Sequence, residues 1–144
     1  MRATDWAYLA GVLDSDGCVN ISKQKGRREP KRSQYTLRVC ITNTSRILID
    51  WLLTEIGGTA YISNLTAPKH HKTAWRWTVR GYEAIPILRK VIPYLRVKCK
   101  RAELAIQFAK TLRSDSRKLT DKELKQRERL HAILRSMNTT GRLR

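Results

Sequence analysis

With 144 residues, 41% of them hydrophobic and including four Trp and five Tyr, the chain suits one packed domain over residues 1–144. Thirty Lys+Arg against twelve Asp+Glu give a net charge of +18, a field that gathers polyanions and makes nucleic acid the leading partner. Three exclusions follow: Cys18, Cys40 and Cys99 are too few and too scattered for a disulfide framework or a zinc knuckle, and no apolar span or basic amphipathic helix suits a membrane.

Taken in chain order, Thr4 caps a first helix in which Trp6, Leu9, Ala10 and Leu13 recur on one face. It should stop at Asp14-Ser15-Asp16-Gly17. The period then changes to two: Val19 and Ile21 alternate with Asn20 and Ser22, and after a basic loop Tyr35, Leu37, Val39 and Ile41 alternate with Thr36, Arg38, Cys40 and Thr42. These are two strands of a hairpin. Helical spacing returns at Ile47, Leu48, Trp51, Leu52 and Ile56 and closes at Gly57-Gly58. Residues 61–65 and 75–79 read as a second strand pair, and 83–95 as a helix despite Pro86. Residues 98–112 form another helix, and the Thr120…Glu123 capping box opens a last one that runs to Arg135, with a frayed tail from Asn138 to Arg144.

The fold class expected is α+β: an αββαββα order with a saddle-shaped antiparallel sheet, helices on its opposite face and additional C-terminal helices. The open sheet face would carry Asn20, Ser22, Gln24, Gln34, Thr36, Arg38, Cys40, Tyr61, Ser63, Arg76 and Thr78, a polar and basic surface suited to nucleic acid. Lys23, Lys25, Arg27, Arg28, Lys31 and Arg32 suit the phosphate backbone. Trp51, Trp75 and Trp77 read as core, and His70, His71 and His131 as solvated. The N-terminal Met1-Arg2-Ala3-Thr4-Asp5 lacks the apolar run of an export signal, so an intracellular, cytoplasmic or organellar, protein is expected.

Two features of the first helix resist a purely structural reading. A helix C-terminus carries partial negative charge, yet this one ends in Asp14 and Asp16 while Lys and Arg are plentiful. A solvated polar turn is one explanation and a site for a hard cation such as magnesium is the other. A calcium loop is excluded, because its sixth position would be Val19 rather than Gly and its twelfth Lys25 rather than Glu. Gly11 is the second feature, costing about 1 kcal/mol relative to Ala within a helix. It shares a face with Ala7, so either it clears a core side chain or it admits another backbone, such as the same helix of a second copy.

The run Leu9-Ala10-Gly11-Val12-Leu13-Asp14-Ser15-Asp16-Gly17 resembles the signature of the LAGLIDADG homing endonucleases. The resemblance extends to Glu55-Ile56-Gly57-Gly58 and to Pro93-Tyr94-Leu95-Arg96-Val97-Lys98, and it covers roughly residues 5–112, leaving 113–144 as a helical extension. One copy of the signature implies a homodimer that hydrolyses phosphodiesters at a nearly palindromic double-stranded DNA site. It implies Asp16 and the Ser15 carbonyl as metal ligands, magnesium as the cofactor with manganese or calcium able to substitute, and Asn43, Lys98 and Arg46 as further catalytic groups. Ala7, Ala10, Gly11 and Asp14 fall on the implied dimer interface, Asp14 in a structural role. No small-molecule substrate is implied. A catalytically silent DNA-binding regulator, or a maturase for intron RNA using the same face, is the alternative; an RNA-binding protein of ribosomal type would explain the charge but not the acids.

Overall fold

The computed structural model describes residues 1–27, 32–66, 68–113 and 118–139. Helix α1 spans Ala3–Asp16. It starts before Thr4, because the Arg2 backbone N–H donates to the Asp5 carboxylate at 2.7 Å and that bond, not a threonine cap, closes the first turn. Gly17 ends α1 with an extended φ of −91°, so no left-handed turn is involved. A Cβ there would lie 2.7 Å from the Leu13 carbonyl oxygen, and glycine alone lets the chain turn so tightly into the next strand.

That strand, β1 (Gly17–Lys25), pairs with β2 (Ser33–Asn43) from Gly17 opposite Ile41 to Lys25 opposite Ser33. Helix α2 (Arg46–Glu55) follows, its Ser45 hydroxyl accepting from the Leu48 N–H, and then β3 (Thr59–Ile62) and β4 (Trp75–Arg80). The remaining helices are α3 (Ala84–Val91), α4 (Cys99–Ala109) and α5 (Asp121–Thr139), with single 3-10 turns on either side of α3. Pro86 is accommodated in the first turn of α3, where a missing N–H costs little. The sheet order is β1-β2-β4-β3, antiparallel throughout, so the α+β class and the αββαββα order with two further helices are as expected.

One sheet face is sealed. Val19, Ile21, Leu37, Val39, Ile41, Trp77 and Val79 point into a core completed by Leu9, Ala10 and Leu13 of α1, Ile49 and Leu52 of α2, Leu88 of α3 and Phe108 of α4. Trp77 is fully buried, whereas Trp51 and Trp75 are half-buried against that core. The Trp77 indole N–H donates to the Gly57 carbonyl at 2.7 Å and fixes the turn into β3. Strand β3 begins earlier than sequence spacing suggests because Gly57 and Gly58 turn sharply, with φ of +92° and +84°. It ends at Ile62, after which Ser63 and Asn64 bond to the backbone of Lys72 and Ala74.

Gly58 is the tighter of the two. Its Cβ would lie 2.8 Å from the Thr78 carbonyl oxygen, whereas at Gly57 it would meet nothing within 4 Å. Gly58→Ala should therefore destabilise the fold by about 2–3 kcal/mol and Gly57→Ala by about 1 kcal/mol, read from urea midpoints.

Helix α5 has a structural task that its basic composition conceals. β1 is an edge strand, and side chains from α5 occupy its outward carbonyls: His131 Nδ1 donates to Ile21 O at 2.7 Å and Asn138 Nδ2 to Val19 O at 3.0 Å. His131 is thus half-buried and bonded rather than solvated, and the expected fraying begins no earlier than Asn138's own anchored turn; residues 140–144 lie outside the described residues. The Thr120–Glu123 capping box is present, with the Thr120 N–H donating to the glutamate at 2.8 Å. Among the described residues no helix is long and apolar enough to cross a membrane.

Candidate active site and nucleic-acid interface

The register that sets Gly17 against Ile41 brings the end of β2 back beside the end of α1. There the Asn43 side-chain Nδ2 donates to Asp16 Oδ2 at 2.7 Å, and its side-chain Oδ1 accepts from the Ser45 N–H at 2.7 Å. Asn43 is held at both ends, so it presents Asp16 in a fixed orientation. Asp16 and Ser15 are exposed.

Asp14 faces the opposite way and does different work. Its carboxylate accepts from the backbone N–H groups of Arg96, Val97 and Lys98 at 2.7, 3.2 and 2.8 Å, tying α1 to the turn that starts α4. The Lys98 ammonium donates to the Leu13 and Asp14 carbonyl oxygens at 2.8 and 2.5 Å, placing a cation on the last turn of α1. This is how a helix ending in two acids is tolerated. Partial burial raises the Asp14 pKa, but the N–H groups of Arg96, Lys98 and Val97 outweigh it and hold the carboxyl below its ordinary 3.8. Burial pushes the Lys98 ammonium below the usual lysine range, with Asp14 opposing that shift.

Asp14→Ala strips the acceptor from three N–H groups at a partly solvated site, and about 2 kcal/mol of stability should be lost at neutral pH. Because the folded-state pKa is depressed, this contribution is present above the unfolded value and lost as pH falls through the folded one. Urea unfolding should therefore separate wild type from variant at neutral pH and bring them together in strong acid.

The open sheet face carries most of the residues expected there. Asn20, Ser22, Thr36, Arg38 and Arg76 are half-buried, and Gln24, Gln34 and Tyr61 are exposed. Long side chains lie across the strands: Arg38 Nε donates to Asn20 Oδ1 at 3.3 Å and Arg76 Nε to Thr42 Oγ1 at 3.0 Å. Cys40 and Thr78, paired on the two central strands, are only 6% and 2% exposed, so neither is offered to a macromolecule. Ser63 lies beyond β3 with its hydroxyl bound to the Ala74 carbonyl. Lys23, Lys25, Arg27 and Arg32 are exposed at the hairpin end, while Arg28 and Lys31 lie outside the described residues. Arg80 was not anticipated: exposed and directly opposite Arg38, it continues the alternation of Arg76 and Thr78 by one step.

Among the described residues no three His, Cys, Asp or Glu side chains gather as a metal site. One exposed carboxylate with a free oxygen fits a hard, hydrated cation that takes its other ligands from water and phosphate, rather than zinc, which takes three or four protein ligands.

Known proteins are similar to this chain in sequence and in fold. No protein-family model matches the chain. DNA endonuclease I-CvuI of Chlorella vulgaris is 32% identical over 111 residues, which span 74% of this chain and 65% of that relative. The crystal structure of I-CvuI in complex with its target superposes with a TM-score of 0.75 at 22% identity, over 94% of this chain and 82% of that one. The archaeal intron-encoded homing endonuclease I-Vdi141I complexed with DNA gives 0.74 at 16% identity, over 93% and 84%. The I-SmaMI LAGLIDADG homing endonuclease gives 0.69 at 18% identity, over 89% of this chain but 43% of that one. The sequence is similar to that of a DNA endonuclease over just under two thirds of that relative's length, and the fold is the one these homing endonucleases share.

Helix α1, which carries the run that resembles the family signature, divides cleanly into two sides. Leu9, Ala10 and Leu13 are buried against the sheet, so Ala10, expected on the dimer face, belongs to the core of its own chain. Asp14 is likewise engaged with the α4 turn. Ala7, Tyr8, Gly11 and Ser15 are exposed on the other side. A Cβ at Gly11 would meet nothing within 4 Å, which removes the explanation that the glycine clears a core side chain. Arg46 pairs with Asp50 at 2.7 Å and lies 4.3 Å from the Trp75 ring, so its guanidinium is occupied locally.

Proposed function

We propose that this chain is a site-specific double-strand DNA endonuclease, acting as a homodimer on a long, nearly palindromic site with a divalent metal ion, magnesium first. The observation that carries this reading is the exposed Asp16 carboxylate, fixed on one oxygen by Asn43 beside a face bearing Arg38, Arg76 and Arg80. A surface shaped only to bind DNA is weakened by an acid at that point, since it repels phosphate. The acid makes sense where a cation stands between it and the backbone.

Asp16, with the Ser15 carbonyl beside it, would hold the ion. A divalent cation there supplies positive charge to phosphodiester oxygens and a more acidic water. Asn43 orients the carboxylate, and Lys98, held on the Asp14 carbonyl two residues before Asp16, contributes a fixed charge to offset negative charge developing on phosphate. Arg46 we leave outside this set, since Asp50 and Trp75 already engage it. Arg38, Arg76 and Arg80 suit guanine edges and Asn20, Gln24 and Gln34 suit adenine, with Ser22, Thr36 and Tyr61 filling between them; Lys25 and Arg27 suit phosphates.

The relatives support the reading. I-CvuI has been crystallised with its target in the presence of calcium, and with another target in the presence of magnesium. This chain matches 43% of I-SmaMI, as expected if two copies here do what one longer chain does there. The open strip around Gly11 is where a second α1 would lie.

Incubation with a randomised duplex library tests the proposal. Magnesium-dependent ends at one sequence and its near-palindromic variants are expected. Retention of duplexes that stay intact with magnesium, manganese and calcium alike would make the chain a DNA-binding regulator.

A further inference from the structure

Cross-strand register divides the open face into rows. Thr42, Arg76 and Tyr61 form one row across β2, β4 and β3, and Asn20, Arg38 and Arg80 form another across β1, β2 and β4. Between them lies the row of Cys18, Cys40 and Thr78. One arginine in each outer row is braced by a neighbour: Arg76 Nε donates to Thr42 Oγ1 at 3.0 Å, and Arg38 Nε to Asn20 Oδ1 at 3.3 Å. Each brace takes Nε and leaves the two terminal nitrogens, a fork that matches guanine O6 and N7. The middle row is closed, with Cys40 6% and Thr78 2% exposed. We propose, resting on the site-specific DNA reading above, that Arg76 and Arg38 are the two guanine-reading anchors of each half-site, held by Thr42 and Asn20 and separated by base pairs that the protein does not read directly.

An arginine free to sample rotamers reaches phosphates and bases alike. A hydrogen bond at Nε sets the plane of the fork before DNA arrives, so less freedom is lost when the fork meets a base. Thr42 and Asn20 are therefore positioning residues. Asn20 is itself steadied, its Nδ2 lying 3.6 Å from the Cys18 sulfur.

Register also sets the spacing. Thr42 faces Arg76 and Arg38 faces Arg80, so the two rows are separated by the β2 stretch from Arg38 to Thr42, about 13–14 Å at the rise of a strand. Base pairs rise about 3.4 Å each along the duplex, and a strand following the groove would set the two guanines roughly three or four base pairs apart. The Arg76 row adjoins Asn43, which holds Asp16, so its guanine is the inner one, nearer the scissile phosphate.

Selection of bound duplexes from a randomised library in metal-free buffer tests this by binding alone. Two guanines per half-site, roughly three or four base pairs apart with tolerant positions between them, are expected. Arg76→Ala should lower the preference for the inner guanine on the order of 10-fold. Thr42→Val keeps the β-branched shape and should lower it about 3-fold or more, with Thr42→Ser restoring it. Combining Thr42→Val with Arg76→Ala should match Arg76→Ala alone, because the hydroxyl acts only through the guanidinium. Lys25→Ala should weaken binding to all sequences alike. Enrichment of the guanine pair by a protein that never cuts would support the anchors while sinking the nuclease reading. A selected site without that pair, one specified just as strictly between the two guanines, or a folded Thr42→Val with undiminished guanine preference overturns the proposal alone. A library from which no sequence is enriched overturns it together with site-specific recognition.

Discussion

Asp16→Asn should leave duplex binding intact and lower cleavage by on the order of 10³-fold or more. The side chain is exposed, and the amide that replaces it can still accept from Asn43, so the fold has no reason to change. Removing a negative charge next to DNA reduces repulsion, so in metal-free buffer affinity should hold or rise. In magnesium the variant should bind and fail to cut. Electrophoretic mobility shift and single-turnover cleavage on one duplex measure both halves, and a variant that cuts at the wild-type rate removes Asp16 from the chemistry.

The second large effect concerns assembly. Gly11→Leu should convert a dimer to a monomer and abolish double-strand cleavage while the single chain stays folded. A Cβ at position 11 meets nothing within 4 Å, and leucine is the better helix former by roughly 1 kcal/mol, so the isolated chain should unfold no earlier than wild type. Against a second α1 the leucine forces the backbones apart. Sedimentation velocity should show the loss of the dimer, and the dependence of wild-type Tm on concentration should vanish with it. Gly11→Leu that still sediments as a dimer places the subunit contact elsewhere.

Much of this architecture was readable in the order of residues because the hydrophobic period itself changes. Leu9, Ala10 and Leu13 follow helical spacing, while Val19, Ile21, Leu37, Val39 and Ile41 alternate, and each change marks an element boundary found in the fold. Chain ends of elements were less legible, because single contacts decide them. The Arg2–Asp5 bond moves the start of α1, and the side-chain bonds of Ser63 and Asn64 end β3 early.

The acidic site was legible for a physical reason: acids at a helix C-terminus contradict the dipole. The division of labour between them was not, since Asp14 is distinguished from Asp16 only by N–H groups more than eighty residues away. Burial within the polar face also escaped the sequence. Alternation places Cys40 and Thr78 beside Arg38 and Arg76 but cannot tell that they lie on central strands beneath those long side chains. Arg80 escaped because a strand judged to end at Val79 hides one more outward position. Nothing in the composition of α5 indicates that His131 and Asn138 close the edge of β1.

In the proposed mechanism two copies of Asp16 share divalent ions against DNA. Anomalous diffraction at the manganese edge, from crystals of the protein with its cleaved or uncleaved duplex, tests this most directly. Manganese is predicted in contact with Asp16 of both copies, close to the two-fold axis and to the scissile phosphates. Manganese bound elsewhere, or Asp16 carboxylates far from each other and from the DNA backbone, would contradict it.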